Sequence, residues 1–107
     1  MTLKTPLSPT AFAVLAGLAP GPRSGVQIID GLEEAGARIL GPGSLYRLLS
    51  EMVTEGWVAR AATEGESDGR VRVFGLTERG REVLDGEASR LGRMLRMPGV
   101  VTDPGRS

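Results

Sequence analysis

The apolar positions of the chain fall into four stretches with helical spacing and, between the third and the fourth, a pair with the spacing of extended chain. In the third stretch Leu45, Leu48, Leu49, Met52 and Val53 make one stripe, and Ser44, Arg47, Ser50, Glu51 and Thr54 lie opposite. Gly41-Pro42-Gly43 opens this segment and Gly56 stands where a left-handed C-cap belongs, so the pattern predicts an amphipathic helix between two turns. Upstream, Ser8-Pro9 is a helix start, with serine as N-cap and proline in the first turn. That helix is predicted to reach Ala19. Its Ala11, Phe12, Val14, Leu15 and Leu18 wrap most of the circumference, which implies burial on two sides: the domain core on one, a second subunit on the other.

Pro20-Gly21-Pro22 breaks the chain. A second helix, Ser24 to Ala35, turns Ile28, Ile29, Leu32 and Ala35 inward and Asp30, Glu33 and Glu34 outward, and Gly36 ends it. Ala37 to Leu40 predicts a short extended piece before the central helix. After Gly56 the period becomes extended. Trp57 to Thr63 and Arg70 to Leu76 predict two strands joined by the turn Glu64-Gly65-Glu66-Ser67-Asp68-Gly69, with Phe74 and Leu76 reaching the core. Thr77 caps a last helix to Met97, where Leu84, Ala88, Leu91 and Leu95 form a stripe flanked by Val83 and Met94. Gly80, Gly86 and Gly92 each weaken it by about 1 kcal/mol relative to alanine, so packing must hold it, and association with a partner copy is the economical answer.

The order of elements is that of a winged helix-turn-helix with an added dimerisation helix: a mainly α chain with a small β wing, class α+β. The divisions are a flexible arm over 1–7, the winged domain over 8–76, the dimerisation helix over 77–97 and a disordered tail over 98–107. The length of 107 residues suits one domain. With neither histidine nor cysteine, the chain lacks the commonest general base, the usual zinc ligands and any disulfide, and no paired carboxylates or nucleophile–base set stands out. An enzyme, a metal site and a cofactor are therefore not expected. No stretch has the length of a membrane span or the layout of a signal peptide, which makes the cytoplasm the expected location. Net charge is zero, yet twelve of the thirteen basic residues are arginine, the side chain suited to phosphate and guanine.

The sequence resembles the PadR family of bacterial transcriptional regulators, in its shorter branch with one trailing helix. The matching pieces are Leu7-Ser8-Pro9-Thr10-Ala11-Phe12-Ala13-Val14-Leu15, Gly21-Pro22-Arg23-Ser24-Gly25, Gly43-Ser44-Leu45-Tyr46, Gly56-Trp57-Val58 and Arg70 to Arg81. The resemblance implies a homodimer that binds a pseudo-palindromic operator in double-stranded DNA, commonly as a repressor released by a small-molecule effector at the dimer interface. The chain departs from the family pattern in three places. Ser24-Gly25-Val26 stands for histidine-glycine-tyrosine, Phe74-Gly75 at the end of the wing for a tyrosine and a basic residue, and the trailing helix has no aromatic on which a flat ligand could stack.

The residues expected at DNA are Gly43, Ser44, Tyr46, Arg47 and Ser50 of the central helix and Arg70 and Arg72 of the wing. Arg47 either forks onto guanine or phosphate or pairs with Glu51, one turn on. Gly43 and Ser44 offer backbone N–H groups to phosphate or simply cap the helix. The Tyr46 ring is either buried or, by the resemblance, carries its hydroxyl to the backbone of DNA. Between residues 38 and 72 five arginines face five acids, so a shallow salt dependence is expected. The expected dimer interface is Phe12, Leu15, Val83, Leu84, Ala88, Leu91, Met94 and Leu95. The competing reading, favoured by the neutral charge and the acidic second helix, is a winged-helix module for protein–protein contact.

Overall fold

The computed structural model describes residues 6–37, 40–61 and 72–100. Four helices and three short strands follow one another as α1 (Pro9–Gly17), β1 (Arg23–Ser24), α2 (Gly25–Glu34), α3 (Pro42–Thr54), β2 (Val58–Ala61), β3 (Val73–Leu76) and α4 (Glu78–Leu95). The helix starts are dictated locally. Ser8 Oγ accepts the Ala11 N–H at 3.1 Å. Ser24 and Gln27 satisfy each other's backbone N–H groups in a reciprocal cap at the head of α2. Thr77 Oγ1 accepts from Gly80 N at 3.0 Å.

The ends of α2 and α3 obey the same chemistry. Gly36 and Gly56 take positive φ, and the residue after each returns its N–H to the last turn, Ala37 to Leu32 and Trp57 to Met52, both at 2.9 Å. At each of these two positions an L side chain would strain the turn.

Two antiparallel ladders join the strands in the order β1-β3-β2. In the wing, Val58 pairs with Leu76 and Arg60 with Phe74. Among the described residues the third strand lies at Arg23–Ser24, opposite Phe74 and Val73. Ala37 and Leu40 belong to no strand, and residues 38–39 lie outside the described set. The expected wing turn, the distal ends of both wing strands, the first five residues and the last seven also fall outside it.

The core gathers Val14, Leu15, Leu18, Ile28, Leu32, Leu45, Leu49, Met52, Trp57, Val58, Phe74 and Leu84. Every helix contributes to it, so the angle between α2 and α3 is set by the same packed side chains that hold the wing. Leu7, placed by the sequence pattern in a loose arm, is instead buried at 9 % exposure. Its N–H donates to the Glu87 carboxylate, whose other oxygen accepts Arg90 Nε at 2.8 Å. Arg90 first, and the Leu7 N–H second, hold the Glu87 carboxyl below its ordinary value of 4.5, while burial opposes them. The inward stripe of α4 is therefore Gly80, Leu84 and Glu87, and Ala88 is exposed.

Gly80 has a packing role that the sequence pattern read as a weakness. A Cβ there would lie 2.9 Å from the Trp57 carbonyl carbon, nearer still to its oxygen, and 3.0 Å from Leu76 Cδ1. The first turn of α4 thus rests directly on the chain that follows α3. Thr77 completes the joint by donating its N–H to Trp57 O at 3.0 Å and its hydroxyl to Gly56 O at 2.5 Å.

Candidate nucleic-acid interface

α3 buries Leu45, Leu49 and Met52 completely. Helical geometry then leaves Gly43, Ser44, Arg47, Ser50 and Thr54 on the far side, and all five are exposed. No ion pair joins Arg47 to Glu51 among the described residues, so the guanidinium projects without the intrahelical partner that the spacing allowed. The starts of α1, α2 and α4 are closed by Ser8, Ser24 and Thr77, whereas α3 opens at Gly41 with no side-chain cap. Its first-turn N–H groups at Gly43 and Ser44 therefore face solvent at the positive end of the helix dipole. This arrangement suits an anion.

Tyr46 is the residue that ties this face to its neighbours. Its ring is half-buried and stands 6.0 Å from the Phe74 ring at an interplanar angle of 50°. Arg72, two residues before Phe74 on the same side of the wing strand, places its guanidinium carbon 5.9 Å from the centre of the Tyr46 ring. On the α2 side the ring tip closes on Gly25, where a Cβ would lie 2.5 Å from the Tyr46 hydroxyl oxygen. The ring is packed against Phe74 and Gly25 but not fully buried.

The exposed face of α3, the head of α2 and the wing thus meet around one side chain. The structure brings together Gly43, Ser44, Tyr46, Arg47, Ser50 and Arg72, and Arg70 lies outside the described residues. Gly25 escaped the sequence argument, although its place in the Ser24-Gly25-Val26 motif was a signal. The acids Asp30, Glu33 and Glu34 sit in the second half of α2, where all are exposed.

The residues expected at a dimer interface divide into two groups. Leu15 and Leu84 are buried in the protomer's own core, at 0 % and 5 % exposure, because α1 and α4 pack on each other. They have no surface to give to a partner. Ala88, Met94 and Leu95 are exposed, and Phe12, Val83 and Leu91 are half-buried. Phe12, Ala13 and Ala16 also floor an open groove of about 430 Å³ between α1 and α2. The all-round apolarity of α1 is therefore absorbed only partly by the protomer core.

The fold is shared with solved regulators. A PadR family transcription regulator from hypervirulent Clostridium difficile superposes with a TM-score of 0.70 over 82 % of this chain and 95 % of its own, at 17 % identity. RosR of H. salinarum gives 0.66 over 92 % and 84 %, at 24 % identity. A MarR mutant from E. coli gives 0.70 over 84 % and 61 %, at 23 % identity. In sequence, 81 residues are 40 % identical to a 37.1 kDa protein of a Streptomyces fradiae transposon, and the match spans 76 % of this chain but 22 % of that protein. The model of the transcriptional regulator PadR-like family matches residues 14–86, from the middle of α1 to the middle of α4. The chain belongs to the PadR-like family of transcriptional regulators.

Proposed function

We propose that the protein is a sequence-specific DNA-binding repressor that works as a homodimer and is relieved by a small ligand. The single observation that carries the DNA-binding part is the exposed face of α3. Gly43, Ser44, Arg47 and Ser50 stand clear of the core, and Arg72 of the wing is stacked on the same helix. Arg47 would fork onto a base edge or phosphate in the major groove, while the uncapped N–H groups of Gly43 and Ser44 and the wing arginine would take phosphates. With few cations on this face, selectivity would lean on short polar contacts and on DNA shape.

The dimer is supported by surface that the protomer leaves uncovered. Met94, Leu95 and Met97 are about half exposed at the C-terminal end of α4 (47 %, 54 % and 56 %). Together with Ala88, Leu91, Val83 and Phe12 they would meet a second copy and place two α3 helices about one helical turn of DNA apart. An effector would sit between the α4 helices, where methionines adapt to varied shapes. Repression would follow from occupying a promoter, and relief from changing the spacing of the two α3 helices.

Selection of bound sequences from random duplex tests the reading. The expected result is a two-fold-symmetric site, lost with Arg47→Ala. Enrichment of no sequence would favour a protein–protein module, in line with the acidic outer face of α2.

A further inference from the structure

We propose that Tyr46 is a positioning residue for the wing arginine Arg72, so that α3, the head of α2 and the wing meet DNA as one preformed surface. The inference rests on the DNA-binding reading above and assigns to the ring a task distinct from any contact its hydroxyl makes.

Three observations from two elements, the wing strand β3 with its entry and the head of α2, converge on this ring. Phe74 packs against it from the core side, at 6.0 Å between centroids. Arg72 lies over it from the solvent side, at 5.9 Å. Gly25 backs the hydroxyl end so closely that a Cβ there would lie 2.5 Å from the hydroxyl oxygen and displace the ring. The ring is thereby fixed on two sides by protein, and the one side left to the surface is covered by a cation. Arg72 is itself exposed. An exposed arginine with free torsions must give up rotamer freedom when it binds a phosphate, and a stacked one has already lost much of it.

The sequence context sharpens the point. Gly75 stands after Phe74, so the wing strand supplies no cation there, and the residue before Phe74 is Val73. Among the described residues of β3 and its entry Arg72 is the one cation, and the other described wing strand adds Arg60, which is exposed and paired with Phe74. A cation–π contact at such an exposed site corresponds to about a two- to five-fold effect on affinity.

The test reads the stack first without DNA and then with it. In the DNA-free protein, proton NMR of the Arg72 side-chain methylenes should show shifts upfield of their random-coil positions, lost with Tyr46→Leu and kept with Tyr46→Phe. Affinity for the selected duplex is then measured for wild type, Arg72→Ala, Tyr46→Leu and the double variant across a salt series. Arg72→Ala should flatten the salt slope by about 0.9 in wild type, and its effect on affinity should shrink about two- to five-fold in the Tyr46→Leu background. Random-coil methylene shifts in the folded wild type would overturn the proposal, and that reading stands even if Tyr46→Leu does not fold. Equal effects of Arg72→Ala in both backgrounds would overturn the positioning role while leaving DNA binding intact. A shifted Arg72 in a protein that selects no duplex would overturn the DNA-binding reading, and the role with it.

Discussion

Gly80→Ala is the substitution whose outcome the fold and the local sequence rules predict with opposite signs. In a helix interior alanine is favoured over glycine by about 1 kcal/mol, so propensity alone expects stabilisation. In the structure the new Cβ would stand 2.9 Å from the Trp57 carbonyl carbon and closer to its oxygen. Carbon atoms rest at roughly 3.5–4.0 Å, so the first turn of α4 would have to lift by about 1 Å. That movement works against Thr77 N to Trp57 O at 3.0 Å and Gly80 N to Thr77 Oγ1 at 3.0 Å. Overpacking costs about 1–3 kcal/mol and a lost N-cap adds about 1 kcal/mol. Less the propensity gain, the net is a destabilisation of about 2 kcal/mol, or a Tm lower by roughly 8–16 °C for a domain of this size.

Gly86→Ala is the control, since nothing lies within 4 Å of its added Cβ. It should raise Tm by several degrees, at about 0.5–1 kcal/mol. Thermal unfolding followed by far-UV circular dichroism, at one protein concentration for all variants, decides the matter. If Gly80→Ala stabilises as Gly86→Ala does, the close seating of α4 on Trp57 is wrong.

Three further outcomes follow from the same geometry. Gly25→Ala should push the Tyr46 ring off its seat, costing about 1 kcal/mol in urea unfolding and abolishing the upfield shift of the Arg72 methylenes. Glu87 has a depressed carboxyl pKa, so its contribution is fully present above 4.5 and is lost as pH falls through the lower, folded-state value; in urea titrations the gap in midpoint between wild type and Glu87→Gln should be largest near neutrality and narrow below that pH. On the proposed dimer, a double Met94→Glu, Leu95→Glu variant should sediment as a monomer, while its far-UV spectrum stays that of a folded winged domain.

The helices were legible because their ends are written in capping chemistry: Ser8-Pro9, Ser24 with Gln27, Gly36, Gly56 and Thr77 all act where they stand. The wing was legible for Val58 to Ala61 and Val73 to Leu76, where Phe74 turns inward as its alternation requires. The third strand was not. Arg23–Ser24 is two residues long, too short for any period, and exists only because β3 offers it an edge. Leu15 and Leu84 looked like interface residues because spacing tells that a face is apolar, not which neighbour covers it.

Glu87 carried a signal that went unused, since it lies three residues after Leu84 on the same inward stripe. A carboxylate there needs a partner from elsewhere, and the Leu7 N–H, eighty residues away, is invisible to local pattern. The candidate site divides along the same line. The exposed face of α3 follows from its stripe, whereas the meeting of Tyr46 with Arg72 and Gly25 depends on contacts between elements distant in sequence.

The most direct test of the central claim is native mass spectrometry of the selected duplex with wild type and with Arg47→Ala, combined with competition against random duplex. The account predicts two chains per duplex and a preference for the selected site that Arg47→Ala reduces by about 1–3 kcal/mol, or roughly five- to more than a hundred-fold. One chain per duplex, or a preference that Arg47→Ala leaves unchanged, would contradict it.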